Sequence, residues 1–115
     1  MSRDDALLLD MLLAARDACG FVAGLDGAGF AASKLHQNAV IRCLEVIGEA
    51  AAKVSKGFRD NQPGIAWREI IGMRHRLIHD YGEVRLDIVW SVTQDRLPAL
   101  IAAIEPLIPP ETEGA

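Results

Sequence analysis

Apolar residues return every three or four positions through most of this chain, and they never alternate with polar ones over a long run. The elements predicted are therefore helices. Leu8, Met11, Leu12, Ala15, Cys19 and Val22 form one stripe, which predicts a first helix over about 4–22 with Ser2 as its cap. Gly20, Gly24 and Gly27 then loosen the chain, a short helical turn is expected at about 28–32, and Ser33 suits the cap of the next helix. From there Val40, Leu44, Ile47, Ala51 and Val54 recur at gaps of four and three, the rhythm of an amphipathic helix over about 34–55. Residues 56–64 carry no apolar period and are punctuated by Gly57, Pro63 and Gly64, so they read as a loop.

A third long helix is expected to begin near Ala66 and to reach His79. Gly72 inside it costs about 1 kcal/mol relative to alanine, which predicts close packing against a neighbour. A fourth helix over about 86–104 presents Val89, Val92, Leu97, Leu100, Ile101 and Ile104. A kink is expected at Pro98, which has no N–H to give the Gln94 carbonyl. Pro106, Pro109 and Pro110 end this helix, and a tail from about 107 to 115 is expected to fray. The pattern as a whole predicts an all-α fold: an antiparallel bundle of four to five helices forming one domain over 1–115.

Composition narrows the classes. A chain of 115 residues buries roughly two thirds of the surface its unfolded form exposes. Hydrophobic residues make up 50% and charged residues 24%, and no apolar run reaches the ~20 residues of a membrane span. Asp10 interrupts the leucine-rich first helix and Asp4 and Asp5 precede it, so the basic start of a secretion signal is missing and a soluble, cytoplasmic protein is expected. Cys19 and Cys43 read as buried free thiols, with a disulfide as the lesser alternative. A formal net charge of −4 argues against a general basic surface for nucleic acid. Arg68, Arg74, Arg76 and Arg85 nonetheless fall close together, so any such contact is expected to be local to them.

The chemistry gathers in Arg74-His75-Arg76-Leu77-Ile78-His79-Asp80-Tyr81-Gly82, which brings together guanidinium groups, two imidazoles and a phenol. On a helix His75 and His79 share a face, Arg74 and His79 lie about 140° apart, and Gly82 supplies a stop. These groups suit phosphate chemistry, in which moving a phosphoryl group without a metal requires one group to take a proton, one to give a proton and a cation for the phosphorane charge. His79, with an ordinary pKa of ~6.5, can take either proton role, and Arg74 can clamp phosphate oxygens in a fork. Two chains about a twofold axis would bring two such pairs into one cleft, so a homodimer is expected. His75 either holds the site by bonding to His79 or Tyr81 or is simply a surface residue.

Other readings of these residues stay open. His75-x3-His79 has the spacing of two metal ligands, but the rest of a set would have to come from Asp80, His36 or Cys43, so no metal and no other cofactor are expected. Tyr81 is a buried anchor in the plainest reading. Glu49 either pairs with Arg74 or Arg76 or is solvated. Trp67 and Trp90 are expected as core or interface aromatics, and Lys53 and Lys56 as an ordinary helix end.

The spacing Arg74-x4-His79-x-Tyr81 resembles the Arg-x4-His-x-Tyr signature of the HepT-like toxins, within the HEPN superfamily of small helical RNases. His75 falls at the polar position after the arginine, where asparagine is commoner. The likeness extends to Ala39-Val40-Ile41-Arg42, Ile47-Gly48-Glu49-Ala50, Trp67-Arg68, Gly72-Met73, Val89-Trp90 and Leu97-Pro98, and so spans roughly residues 36–101. The resemblance implies a HEPN-like bundle and the toxin of a type VII-like toxin–antitoxin system. Such a toxin is a metal-independent endoribonuclease whose composite site joins Arg74 and His79, with His75 in support, across a dimer interface. It further implies an MNT-type nucleotidyltransferase antitoxin as partner, with Tyr81 as the residue to which AMP is attached. A nucleotide two residues from His79 would bring bulk and negative charge into the groove and compete with RNA for Arg74. The alternative is a noncatalytic nucleotide-binding or interaction module that partners a nucleotidyltransferase.

Overall fold

Helices account for every regular element in the structure, a computed structural model that describes residues 2–79 and 84–109, without the side chains at 78 and 79. In chain order the α-helices are α1 (Arg3–Val22), α2 (Gly27–Ala31), α3 (Lys34–Lys53), α4 (Lys56–Asp60), α5 (Trp67–His79), α6 (Leu86–Ser91) and α7 (Leu97–Ile104), with a π-helical turn at Val92–Arg96 and a 3-10 turn at Glu105–Leu107. No strand occurs among the described residues, and the all-α bundle is as expected. The long helix α1 packs on α3 and α7, and α5 packs on the other side of α3.

Local chemistry sets most of the boundaries. The Ser2 hydroxyl accepts from the Asp5 N–H at 3.0 Å while the Asp5 carboxylate accepts from the Ser2 N–H at 3.2 Å, a reciprocal cap that starts α1. Beyond its end Gly24 takes a φ of 83°, the left-handed turn that glycine adopts without strain. Asp26 caps α2 at Gly29, and the Gln37 side-chain amide closes its far end by donating to the Phe30 and Ala31 carbonyls. This short helix seats Phe30, which is 1% exposed, against Trp90 with ring centroids 5.5 Å apart. Ser33 caps α3 as predicted, and Val40, Leu44, Ile47, Ala51 and Val54 are all buried. Trp67 is also a core residue, with its indole N–H donated to the Gln62 carbonyl at 3.0 Å.

Four expectations need correction. Residues 56–60, read as loop, are helical. Ser55 caps them by accepting from the Phe58 N–H, Lys56 and Asp60 pair across one turn, and Asp4 of α1 accepts from both the Ser55 N–H (2.9 Å) and the Ser55 hydroxyl (2.6 Å). A cap and a tertiary anchor, rather than an apolar period, make that helix. Second, α3 stops at Lys53 because Val54 turns to extended backbone. Third, Pro98 does not merely bend a continuous helix. Residues Val92–Arg96 form a π-helical turn in which the Leu97 N–H donates to the Val92 carbonyl, five residues back. That register shift lets Pro98 enter the first turn of α7, where its missing donor costs nothing.

Gly72 is the fourth case. A side-chain carbon built there would meet no atom within 4 Å, so close packing is not its reason. The tail expected beyond about residue 107 lies mostly outside the described residues, although Leu107 and Ile108 pack partly buried against the core. Both cysteines are free thiols, with burial raising the pKa of each above the ordinary thiol value.

Candidate functional site

Helix α5 carries Arg74, His75 and His79, and one contact fixes its position. A Cβ added at Gly48 of α3 would collide with Arg74 Cβ and lie 3.2 Å from both Arg74 Cγ and the Ile70 carbonyl oxygen. The glycine expected to be at a close contact was Gly72; Gly48 is the one that provides it. The signal was legible in principle, since a glycine midway along an amphipathic helix costs stability that some close approach must offset.

Arg74 is therefore held by its own stem. The residue is half-buried, and its Nε is buried with no hydrogen-bond acceptor among the described residues. An unpaired buried donor costs about 1–3 kcal/mol, more when charged, so the guanidinium is kept in a state that an anionic ligand would relieve. Phosphate oxygens are suitable acceptors. Glu49, one candidate partner for Arg74 or Arg76, turns instead to Lys53 of its own helix at 3.3 Å.

His79 is the last residue of α5. Tyr81, Asp80 and Gly82 lie outside the described residues. His75 is exposed and lines a cleft with Lys56, Arg59, Asp60 and Arg68. Among the described residues no group of three histidine, cysteine or acidic side chains is placed to hold a metal, and the His36 ring is engaged with the Ser33 hydroxyl at 2.6 Å.

The four arginines expected to form one patch are dispersed. Arg68 faces the cleft with His75, whereas Arg74 lies over Gly48. Arg76 lines a separate, largely apolar groove of about 710 Å³ between α5 and α6–α7. Arg85 forms a two-pronged pair with Asp87, which raises its pKa further and lowers that of Asp87. The cations that complete a local basic surface come instead from α4, in the segment read as loop and helix end. Ser55, followed at Lys56 and Asp60 by an opposite-charge pair four apart, was the overlooked sign of that helix.

The model of the "Ribonuclease HepT-like" family matches residues 11–107, a span that includes Arg74, His79 and Tyr81. The chain belongs to the HepT-like ribonuclease family. Among similar proteins, "Putative RNase MJ1380" of Methanocaldococcus jannaschii is 35% identical over 107 residues, which is 91% of this chain and 98% of the relative. "Putative RNase MJ0125" of the same organism is 39% identical over 103 residues, 90% of this chain and 89% of the relative. "Probable ribonuclease HepT" of Thermococcus cleftensis is 40% identical over 78 residues, 68% of this chain and 71% of the relative. No solved structure gives a significant match. Membership in the HepT-like family accords with the all-helical bundle, and no described helix is long and apolar enough to cross a membrane.

Proposed function

We propose that this HepT-like ribonuclease is the toxin of a type VII-like toxin–antitoxin system and cuts RNA internally without a metal. The family match over the span holding Arg74-x4-His79-x-Tyr81 carries the reading, and the buried, acceptor-free Nε of Arg74 supports a phosphate-binding role for that side chain. The RNA 2'-hydroxyl loses its proton to one imidazole and attacks the adjacent phosphorus. A second imidazole protonates the departing 5'-oxygen, leaving a 2',3'-cyclic phosphate and a 5'-hydroxyl. Arg74 neutralises the charge that grows on the phosphorane oxygens. Dividing the two proton roles requires two His79 side chains, so the working unit is a homodimer with one composite cleft.

Regulation follows from the same residues. An MNT-type nucleotidyltransferase transfers AMP from ATP to the Tyr81 hydroxyl and releases pyrophosphate. The tethered phosphodiester, two residues from His79, obstructs the cleft and occupies the partner that Arg74 would offer RNA.

The test is incubation of the purified unmodified chain and its His79→Ala variant with mixed cellular RNA in EDTA, followed by analysis of the RNA ends. Cleavage by the parent alone, with cyclic phosphate ends, is expected. Intact RNA from both would transfer the assignment to a noncatalytic nucleotide-binding module.

A further inference from the structure

On another face of α5, a cleft of about 610 Å³ separates that helix from α4. Arg68, Gly72 and His75 are four and three apart and so share the α5 wall, while Lys56 and Arg59 come from α4 and Trp67 and Ile71 give apolar surface. Three cations face one carboxylate, Asp60, on a chain whose net charge is −4. Lys56 is paired with Asp60 at 2.9 Å. The Nε of Arg59 is buried and, like that of Arg74, has no acceptor among the described residues. Gly72 leaves the wall open: nothing lies within 4 Å of where its Cβ would be.

We propose that this α4–α5 cleft is a binding track for the backbone of single-stranded RNA, in which Arg59 and Arg68 hold phosphates and Ile71 supports the sugars. The track rests on the ribonuclease reading for its purpose, because it runs along α5 toward His79, which ends the helix four residues beyond His75. From Arg68 to His75 it extends roughly 10 Å at 1.5 Å per residue, room for more than one phosphate. A buried guanidinium nitrogen lacking an acceptor, a local excess of positive charge on an acidic chain, and a glycine that keeps the wall clear all fit a polyanionic strand.

Fluorescence anisotropy with a 5'-fluorescein single-stranded RNA of mixed sequence, in EDTA, tests this directly. The protein is the His79→Ala chain, so that the probe stays intact. Arg59→Gln combined with Arg68→Gln is expected to raise Kd about tenfold at ~0.1 M salt, and to flatten the slope of log K against log salt by about 1.4, at ~0.7 for each phosphate that is no longer neutralised. Gly72→Glu, which places a carboxylate in open space and leaves every cation of the cleft in place, is expected to weaken binding likewise. Arg42→Gln combined with Arg96→Gln removes the same charge elsewhere and is expected to leave Kd within about twofold.

Unchanged binding by folded cleft variants overturns the proposal. So does an equal loss of affinity in the Arg42/Arg96 control, which would mark a net-charge effect, and so does absence of RNA binding by the parent. If the parent cleaves no RNA yet binds it through Arg59 and Arg68, the ribonuclease reading falls and the track stands. If His79-dependent cleavage is seen and the cleft variants bind normally, the track falls and the ribonuclease reading stands.

Discussion

Two glycines beside the motif sit in opposite surroundings. Gly48 is pressed against Arg74 and Ile70, and any side chain there displaces α5; Gly72, two residues before Arg74 on α5, faces open space and lines the charged cleft. One face of α5 is thus a seam whose geometry is over-determined, and another is a surface that stays clear. A helix built this way can hold an arginine rigidly on one side while leaving the other side to a ligand. The energetic cost of glycine in a helix is offset at Gly48 by closeness to a neighbour and, on the proposed RNA track, at Gly72 by access for the strand.

The largest expected effect comes from removing the charge at the seam. Arg74→Met keeps an unbranched stem over Gly48 and deletes the unpaired Nε. RNA cleavage by this variant is expected to fall about 10²–10³-fold, the scale for losing one donor to a developing oxyanion, while thermal unfolding shows no loss of stability. A parallel fall in melting temperature would mean that Arg74 acts mainly as packing.

Gly48→Val attacks the seam from its other side. The collision with Arg74 Cβ is expected to destabilise the chain by about 1–3 kcal/mol in urea unfolding, and to lower cleavage with it, because overpacking forces α5 to shift. Gly72→Ala is the counter-experiment, with the opposite sign. It fills open space and improves helix propensity, so a gain of about 0.5–1 kcal/mol is expected from the same measurement. Equal destabilisation by both substitutions would erase the contrast between the two faces.

The smallest effect concerns the anchor of α4. The Ser55 hydroxyl and N–H hold the Asp4 carboxyl below its ordinary pKa of 3.8. A depressed folded-state value means that this contribution is fully present above the unfolded pKa and fades as pH falls through the folded one. Melting temperature followed downward from pH 5 to 3 should therefore decline slightly less steeply for Asp4→Asn than for the parent. Because Asp4 lies at the surface and is only partly buried, the difference should be small, and an identical pair of curves would show that the anchor adds nothing.

The motif and the long helices were legible in the sequence because each is written in local terms. An apolar residue every third or fourth position, a serine cap and an arginine five residues before a histidine need no knowledge of what lies opposite. Reading the short helix α4 as a loop failed for the complementary reason: five residues cannot display a period, and half of what starts this helix is Asp4, some fifty positions away in the chain. Pro98 was recognised as a disruption, but whether a helix answers a proline by bending or by slipping its register depends on the packing around it.

What the sequence determined by itself was the helical class, the caps of α1 and α3, the buried stripes and the presence of a phosphate-suited motif, all properties of neighbours within about one turn of helix. Tertiary structure alone decided which glycine admits Arg74, which arginines stay apart, and that Lys56 and Arg59 join Arg68 and His75 around one cleft. Those outcomes depend on the distance and rotation between helices. These are set by the summed packing of many side chains and are not encoded at any single position.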